Sequence, residues 1–536
     1  MVRFDAAYHG LSNAICVFSR FRATPPSVAG LLSFGVEAHC LPEEHVGYKK
    51  LFRTRRFKLA PGTGPVMAAF HPSPWLIRHT DPLAKAGTTL GAVRKKVRQQ
   101  IIDALPKGIA VERDTAASRR RHRSIAKTLA SIERMHGAAK LTAKGWESVV
   151  GNDRAAKSAV QKWHQSPKID RLSPSEVSDL VDYAIGAPSV ALGRAMWRHD
   201  PTILDDSRYP ELVQLSWQGL RAYLDNPVIL SSLPGKNAVE QVMGAVVDGG
   251  FESVLDEHFW LRAKNLQDGV AGLAKDLMSS LGLRAGGFSF RGTGDKSVKI
   301  PVRCHVAVPF GNAESEPVVK GKGGEAQAAP ARPDEVRRSF NTPFWPHVLA
   351  TTSVGQEGLD FHPWCSHVVH WDLSSNPLDI EQREGRIQRY AGLSIRRRLS
   401  ALLRTDVLRD PALTKASPWK CLERHAERLV DASGLRPWWG LDGAEIRRHV
   451  FERPFGRDKA RFDQLREQRM IYRLALGQPN QEDFIDVLSR GGEEIRMLLQ
   501  PLVLDLSAMG LRQPQTHATY SSAKGQGQGL EIDAED

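Results

Sequence analysis

Between residues 381 and 389 the chain reads Glu-Gln-Arg-Glu-Gly-Arg-Ile-Gln-Arg. If this stretch is helical, Gln382, Arg386 and Arg389 fall on one face through i+4 and i+3 steps. Gly385 leaves that face bare between them. Two guanidiniums and an amide suit a phosphate chain approaching from outside, because the planar arginine fork holds phosphate oxygens in pairs and keeps its charge when desolvated. A competing reading is a surface helix whose arginines are neutralised by Glu381 and Glu384, and composition alone does not separate the two. Upstream, Thr351-Thr352-Ser353-Val354-Gly355-Gln356-Glu357-Gly358-Leu359-Asp360 gathers two glycines and several small polar side chains, so the backbone there can approach a ligand closely.

Residues of this kind need rigid elements behind them. His347–Thr351 and His367–Trp371 read as short apolar strands, and a helix is expected to begin near Asn376-Pro377 with Ile380 and Ile387 on one side. At the other end of the chain, the run Ala14–Phe18 has the apolar, partly β-branched character of a buried strand. A basic loop, Ser19-Arg20-Phe21-Arg22, follows it. Pro25, Pro26 and Ser27 then mark a helix start, with Val28, Leu31 and Leu32 as its apolar stripe. The expected fold class is therefore α/β, a parallel-sheet lobe interrupted by a large, mainly helical insertion and followed by a helical C-terminal region. Helices are expected within the insertion at 90–104, 119–136, 174–197, 209–225 and 236–248. Residues 298–308 read as one strand or two, with Pro301 as a bulge or edge feature. The Gly/Ala/Glu-rich stretch 309–334 reads as a loop.

Residues 352–360 and 382–389 resemble motifs V and VI of superfamily 2 helicases and translocases in order, spacing and strand context. Val17-Phe18-Ser19-Arg20-Phe21-Arg22 is similar to motif IV, which opens the second RecA-like lobe of that family. The link between motifs V and VI looks most like that of large bacterial helicase-related proteins. The resemblance implies that Arg389 acts as an arginine finger and that Arg386 holds the γ-phosphate. Gln382 would police the nucleotide and the contact between lobes. Asp360 would meet the ribose or brace the arginines, with Gly358 in the same nucleotide-binding group. Thr352, Ser353 and Gly355 would lie near the nucleic-acid backbone, as would Ser19 and Arg20. The implied cofactors are ATP and Mg²⁺, both requiring a P-loop lobe for full binding.

The sequence departs from a complete motor. No G-x-x-x-x-G-K-[ST] and no acidic Mg²⁺-binding box are found, although these grip the phosphates and the metal in such enzymes. Gly292-Thr293-Gly294-Asp295-Lys296-Ser297 is a decoy, since Asp295 would repel phosphate. Asp256-Glu257-His258 lies in a helical context and reads as structural. Gly62-Thr63-Gly64 lacks the lysine. Because the motif IV-like segment opens the chain, the reading leaves no space ahead of it for the first lobe. Three explanations stay open: the downstream product of a split or frameshifted gene, a partner of a separately encoded P-loop lobe, or a remnant that binds without hydrolysing. The expected function is the C-terminal lobe of an ATP-dependent DNA helicase or translocase; the alternative is a non-hydrolysing nucleic-acid-binding remnant or regulatory subunit.

Composition agrees with such a partner. Among 536 residues, 74 Lys and Arg against 60 Asp and Glu give a formal charge of +14, which favours a polyanion such as DNA, with RNA the other candidate. The stretch 88–125 is strongly basic and reads either as a solvated face or as a phosphate-tracking surface. Cys16, Cys40, Cys304, Cys365 and Cys421 are widely spaced, with no zinc or disulfide pattern, so no metal ligands are assigned and a reducing cytoplasm is expected. No signal peptide or membrane span is read. The domain map is 1–48, first part of the lobe; 49–290, insertion; 291–400, remainder of the lobe; 401–508, helical region; and 509–536, a tail whose composition predicts disorder.

Overall fold

The computed structural model describes residues 14–41, 55–60, 62–83, 89–116, 118, 122–283, 287–291, 299–303, 306–310, 333–352, 359–414, 416–452, 455–474 and 497. Nine short strands are described: β1 (Ala14–Phe18), β2 (Ala110–Val111), β3 (Arg171–Leu172), β4 (Gly287–Arg291), β5 (Lys299–Arg303), β6 (Ala307–Phe310), β7 (Val348–Thr351), β8 (Cys365–His370) and β9 (Arg447–Val450). Five of them form the main sheet in the order β6-β7-β1-β8-β9, with every neighbouring pair parallel. The expected parallel-sheet lobe with its helical insertion is therefore present.

β1 occupies the centre of this sheet, flanked by β7 and β8, which lie more than three hundred residues further along the chain. Cys16, Phe18, Leu349, Ala350 and Val368 are fully buried around it. β8 is buried at every position, so both of its faces are covered, as continuous apolar strands of parallel sheets require. Closing the sheet demands a long-range return, and the insertion is what the chain carries between the two halves.

The helix Thr24–Cys40 starts where Pro25 and Pro26 predict, but it does not bury the predicted stripe. It lays Val28, Ala29, Gly30 and Ser33 against β6 and β7, while Leu31 and Leu32 are 61% and 43% exposed. Small residues allow the close approach, and Ser33 fixes it. The Ser33 hydroxyl donates to the Ala307 carbonyl at 3.3 Å and accepts from the Ala307 amide at 3.2 Å.

The insertion packs its own core around Phe57, Phe70, Trp75, Trp146, Leu212 and Phe259, and Phe344 joins it from just before β7. A buried polar network holds its centre. Trp146 Nε1 donates to His71 Nδ1 at 2.9 Å, so His71 Nε2 carries the hydrogen that meets Glu133, and the Ser73 hydroxyl donates to the same carboxylate. The helix expected over 174–197 is two, Pro174–Gly186 and Pro188–His199, because Ala187 turns extended (ψ 121°) ahead of Pro188. The helix expected over 209–225 runs Tyr209–Gln214, a π-helical Leu215–Leu220, then Arg221–Leu224. Residues 298–308 divide between two sheets. β5 pairs antiparallel with β4, Pro301 lying opposite Ser289, whereas β6 forms the edge of the main sheet.

Beyond residue 400 the chain is not helical throughout. The helices Leu393–Arg409, Pro418–Ala426 and Asp458–Leu474 are joined by β9, which returns to pair with β8. The tail from 509 lies outside the described residues.

Candidate functional site

The helix carrying the predicted arginines is Pro377–Gly385, capped at its start by Asn376, whose side chain accepts from the Leu378 amide. It stops at Gly385. Arg386 is the capping residue, and Ile387 and Gln388 continue as a turn whose amides donate to the Glu384 carbonyl at 2.9 Å. Gln382, Arg386 and Arg389 therefore do not share one continuous helical face, contrary to the periodicity. The glycine that was expected to bare the face also ends the helix, as its low helix propensity allows. A Cβ at Gly385 would meet nothing within 4 Å, so the surface there is open. Gln382 is exposed on the helix.

What replaces the single face is a junction between the two predicted motifs. Arg389 Nη1 meets Asp360 Oδ1 at 2.9 Å, and its Nε donates to the Gly385 carbonyl at 3.1 Å. Arg386 Nη1 donates to the Leu359 carbonyl at 3.3 Å, and the Phe361 amide returns a bond to the Arg386 carbonyl at 3.0 Å. Asn341 Nδ2 donates to the Asp360 carbonyl at 2.8 Å, fixing the segment from behind. Asp360 thus stands against Arg389, in the bracing position. The Arg389–Asp360 pair is solvent-exposed, 40% and 46% for the two side chains. An ion pair in that setting opens at little cost.

The carboxylates suspected of neutralising these arginines have other partners. Glu384 is buried and accepts from Arg448 Nε at 2.6 Å and Arg469 Nη1 at 3.2 Å. Glu381 lies 3.9 Å from Arg469 Nε. Gly358, Ser353 and Gly355 fall outside the described residues.

A second cluster forms at the C-terminal ends of β1, β7 and β8. It brings together Ser19, Arg20 and Thr352, the remaining predicted nucleic-acid contacts that are described. The Ser19 amide donates to the Thr351 carbonyl at 3.0 Å, which sets the motif IV segment beside the start of motif V. Asp372, just past β8, organises the rest. It accepts from the Ser19 hydroxyl at 2.6 Å, from the Arg20 amide at 3.0 Å and from Arg20 Nε at 3.1 Å. Ser19 is buried, so its hydroxyl orients the loop, while the Arg20 side chain remains partly exposed.

Arg383, to which the motif spacing assigns no role, is buried beneath this cluster. Its Nη1 donates to the Asp372 carbonyl at 3.2 Å, and its guanidinium lies 5.6 Å from the Phe18 ring centroid. Burial pulls its pKa below the ordinary arginine value. Asp372 directly follows the strand read at His367–Trp371, and Arg383 lies off the helical face on which Gln382, Arg386 and Arg389 were expected, so the spacing argument selects neither. The available signal was a carboxylate placed immediately after a buried parallel strand.

Of the decoys, Asp256 and Glu257 are structural. Asp256 accepts from Ser417 and His199 at 2.7 and 3.0 Å, and Glu257 from Arg396 at 2.7 Å, all buried. Gly292–Ser297 lies outside the described residues, and the strands on either side of it pair antiparallel, unlike the strand-loop-helix of a P-loop. Gly64 opens a short helix, and the Thr63 hydroxyl bonds its own turn at Ala60. In the basic stretch, Arg94 pairs with Asp182, and Arg123 meets the buried Glu176 carboxylate at 2.7 Å. Those two cations are thus engaged internally, whereas Arg119, Arg120 and Arg121 lie outside the described residues. Among the described residues no group of three or more His, Cys, Asp or Glu is placed to hold a metal ion, and no helix is long and apolar enough to cross a membrane.

Residues 327–391 match the helicase conserved C-terminal domain family. Comparison with curated proteins and with solved structures finds no match. A helicase C-terminal domain is therefore present in this chain. The matched segment contains β7, β8 and the Pro377–Gly385 helix, but not β1, which lies between those two strands. The domain's sheet is continuous only when Ala14–Phe18 is inserted from the far side of the helical insertion.

Proposed function

We propose that this chain is the C-terminal RecA-like lobe of an ATP-dependent DNA helicase or translocase, which works with a P-loop lobe that grips the nucleotide. Arg389 is its arginine finger. The observation that carries this reading is the exposed Arg389–Asp360 pair, fixed in place by the Arg386–Leu359 and Asn341–Asp360 contacts. A phosphate group can displace an exposed carboxylate from a guanidinium and offers a bidentate partner in return. Arg386, one turn nearer the helix, supports the γ-phosphate, while Asp360 holds Arg389 ready when nucleotide is absent. Gln382 extends from the same helix toward the facing lobe. Ser19, Arg20, Thr352, Ser353 and Gly355 form the side that tracks the nucleic-acid backbone, with Asp372 orienting Ser19 and Arg20. Bound ATP and Mg²⁺ supply the phosphoryl chemistry; this chain's residues stabilise charge and sense closure.

The test is DNA-stimulated ATP hydrolysis by a P-loop lobe with and without this chain. A gain over the P-loop lobe alone that disappears with Arg389→Ala is expected. No gain, or an equal gain from the variant, overturns the motor reading. The second reading, a nucleic-acid-binding protein without turnover, is favoured by the fact that both guanidiniums are met by oxygens of this chain. It is distinguished by salt-dependent DNA binding in the absence of any ATPase gain. Parallel titrations with RNA decide the polymer.

A further inference from the structure

The helical insertion meets the motif VI loop through one buried guanidinium. Arg396, on the helix Leu393–Arg409, is fully buried, and its three donor nitrogens reach three separate segments. Nε donates to Glu257 Oε1 at 2.7 Å, Nη1 to the Ala391 carbonyl at 2.7 Å and Nη2 to the Pro363 carbonyl at 2.5 Å. Glu257 belongs to the insertion helix Phe251–Ala263. Pro363 follows motif V, and Ala391 closes the segment that carries Arg389.

Ala391 needs such support. Its φ of 51° is left-handed, a conformation that a residue with a Cβ rarely adopts. Its amide donates to the Trp438 carbonyl at 2.8 Å, and Arg396 holds its carbonyl. The insertion helix is in turn anchored to the C-terminal helices. Asp256 accepts from the Ser417 hydroxyl at 2.7 Å, Trp260 Nε1 donates to Glu423 at 2.9 Å, and the Trp260 and Trp419 rings stack at 5.2 Å. The guanidinium plane is rigid, so displacement of Glu257 cannot be absorbed without weakening a bond to one of the two loop carbonyls.

We propose that Glu257 and Arg396 are positioning residues through which the helical insertion sets the conformation of the Arg389 loop. The consequence for catalysis rests on the motor reading; the coupling itself does not. A shift of the insertion, transmitted by Arg396, loosens or tightens the segment from Arg386 to Ala391 together with the turn at Pro363.

The test is amide hydrogen exchange on the full chain, comparing the wild type with Glu257→Gln and Arg396→Lys. Lysine keeps a positive charge beside Glu257 but cannot span both carbonyls. In both variants, exchange within 386–391 is expected to rise by about tenfold or more, since a buried charge pair loses part of its bonding. In Arg396→Lys, which keeps a charge beside Glu257, amides of β1, β7 and β8 keep their rates. The helix Phe251–Ala263 also stays protected in that variant, which separates positioning from general loosening. Unchanged exchange at 386–391 in Arg396→Lys overturns the proposal, as does a uniform rise across sheet and insertion. If Glu257→Gln does not fold, Arg396→Lys alone decides. The measurement needs neither nucleotide nor a second lobe, so its failure and that of the motor reading are distinct results.

Discussion

Arg389 and Arg396 stand on either side of the turn that leaves motif VI, and each meets one carboxylate at nearly the same distance, 2.9 Å to Asp360 and 2.7 Å to Glu257. Their surroundings differ. The first pair is 40% and 46% exposed, the second 0% and 6%. In water an ion pair contributes about 0–1 kcal/mol and can be exchanged for another anion. In the interior, losing one partner strands the other and costs about 3–5 kcal/mol. Two ion pairs of similar geometry therefore suit different tasks: under the proposed function the first can release its carboxylate to a phosphate, while the second is fit to hold the loop. The insertion repeats the second case. Burial pushes Glu252 up, but the Arg194 and Arg198 charges outweigh it and hold this carboxyl below the ordinary range.

The comparison is broken most directly at Arg389. Arg389→Ala is expected to lower DNA-stimulated ATP hydrolysis, measured with a P-loop lobe, by about 10³–10⁵-fold while leaving the thermal midpoint of this chain nearly unchanged. A large fall in the midpoint would show that Arg389 is structural. At Arg396 the expectation is reversed. Arg396→Met strands Glu257 and costs about 3–5 kcal/mol, read as a lower urea midpoint for unfolding of the sheet and C-terminal helices. A loss below about 1 kcal/mol would mean that solvent reaches the site and that the contrast between the pairs is illusory.

Acid tests the same contrast between buried and exposed groups. Burial lowers the pKa of His258 to about 3, and of His347, His362, His367 and His370 to about 4. Each is neutral in the fold and takes a proton on unfolding once the pH is below about 6.5. Stability is thus complete above that pH and falls as the pH drops toward 4, by about 1.4 kcal/mol per pH unit for each such histidine. His258 lies in the insertion helix beside Glu257, so His258→Leu should flatten the acid limb by about one proton's share, in urea titrations at pH 6.5, 5.5 and 4.5. An unaltered slope would mean that His258 is already solvated.

The buried strands were legible because their apolar runs are short and bounded, as at Ala14–Phe18, Val348–Thr351 and Cys365–His370. β9 was not, because Arg-Arg-His-Val is an exposed edge strand whose pairing comes from β8 and whose side chains carry no apolar pattern. Leu31 and Leu32 misled for the opposite reason: the helix approaches the sheet through small residues, so its largest apolar side chains face outward. In the site, the residues proposed to meet phosphate were visible as residue types, but their partners were not. That Asp360 braces Arg389 depends on where the chain turns after Gly385, and that Glu384 turns away depends on Arg448 and Arg469, which arrive from far along the chain. Periodicity within one segment cannot report a carboxylate claimed by another.

The smallest effect sharpens the comparison furthest. Asp360→Asn keeps an oxygen beside Arg389 but removes the charge. Because the pair is exposed, the change should shift stability by less than about 0.5 kcal/mol, and even that difference should vanish at about 1 M salt, where exposed charges are screened. The segment stays in place through bonds that the substitution does not touch, from Asn341 to the Asp360 carbonyl and from Arg386 to the Leu359 carbonyl. Thermal midpoints of wild type and variant at low and high salt provide the measurement. A salt-insensitive loss approaching that of Arg396→Met would mean that Asp360 and Arg389 form a fixed structural pair, and Arg389 would then have no free state in which to meet a phosphate.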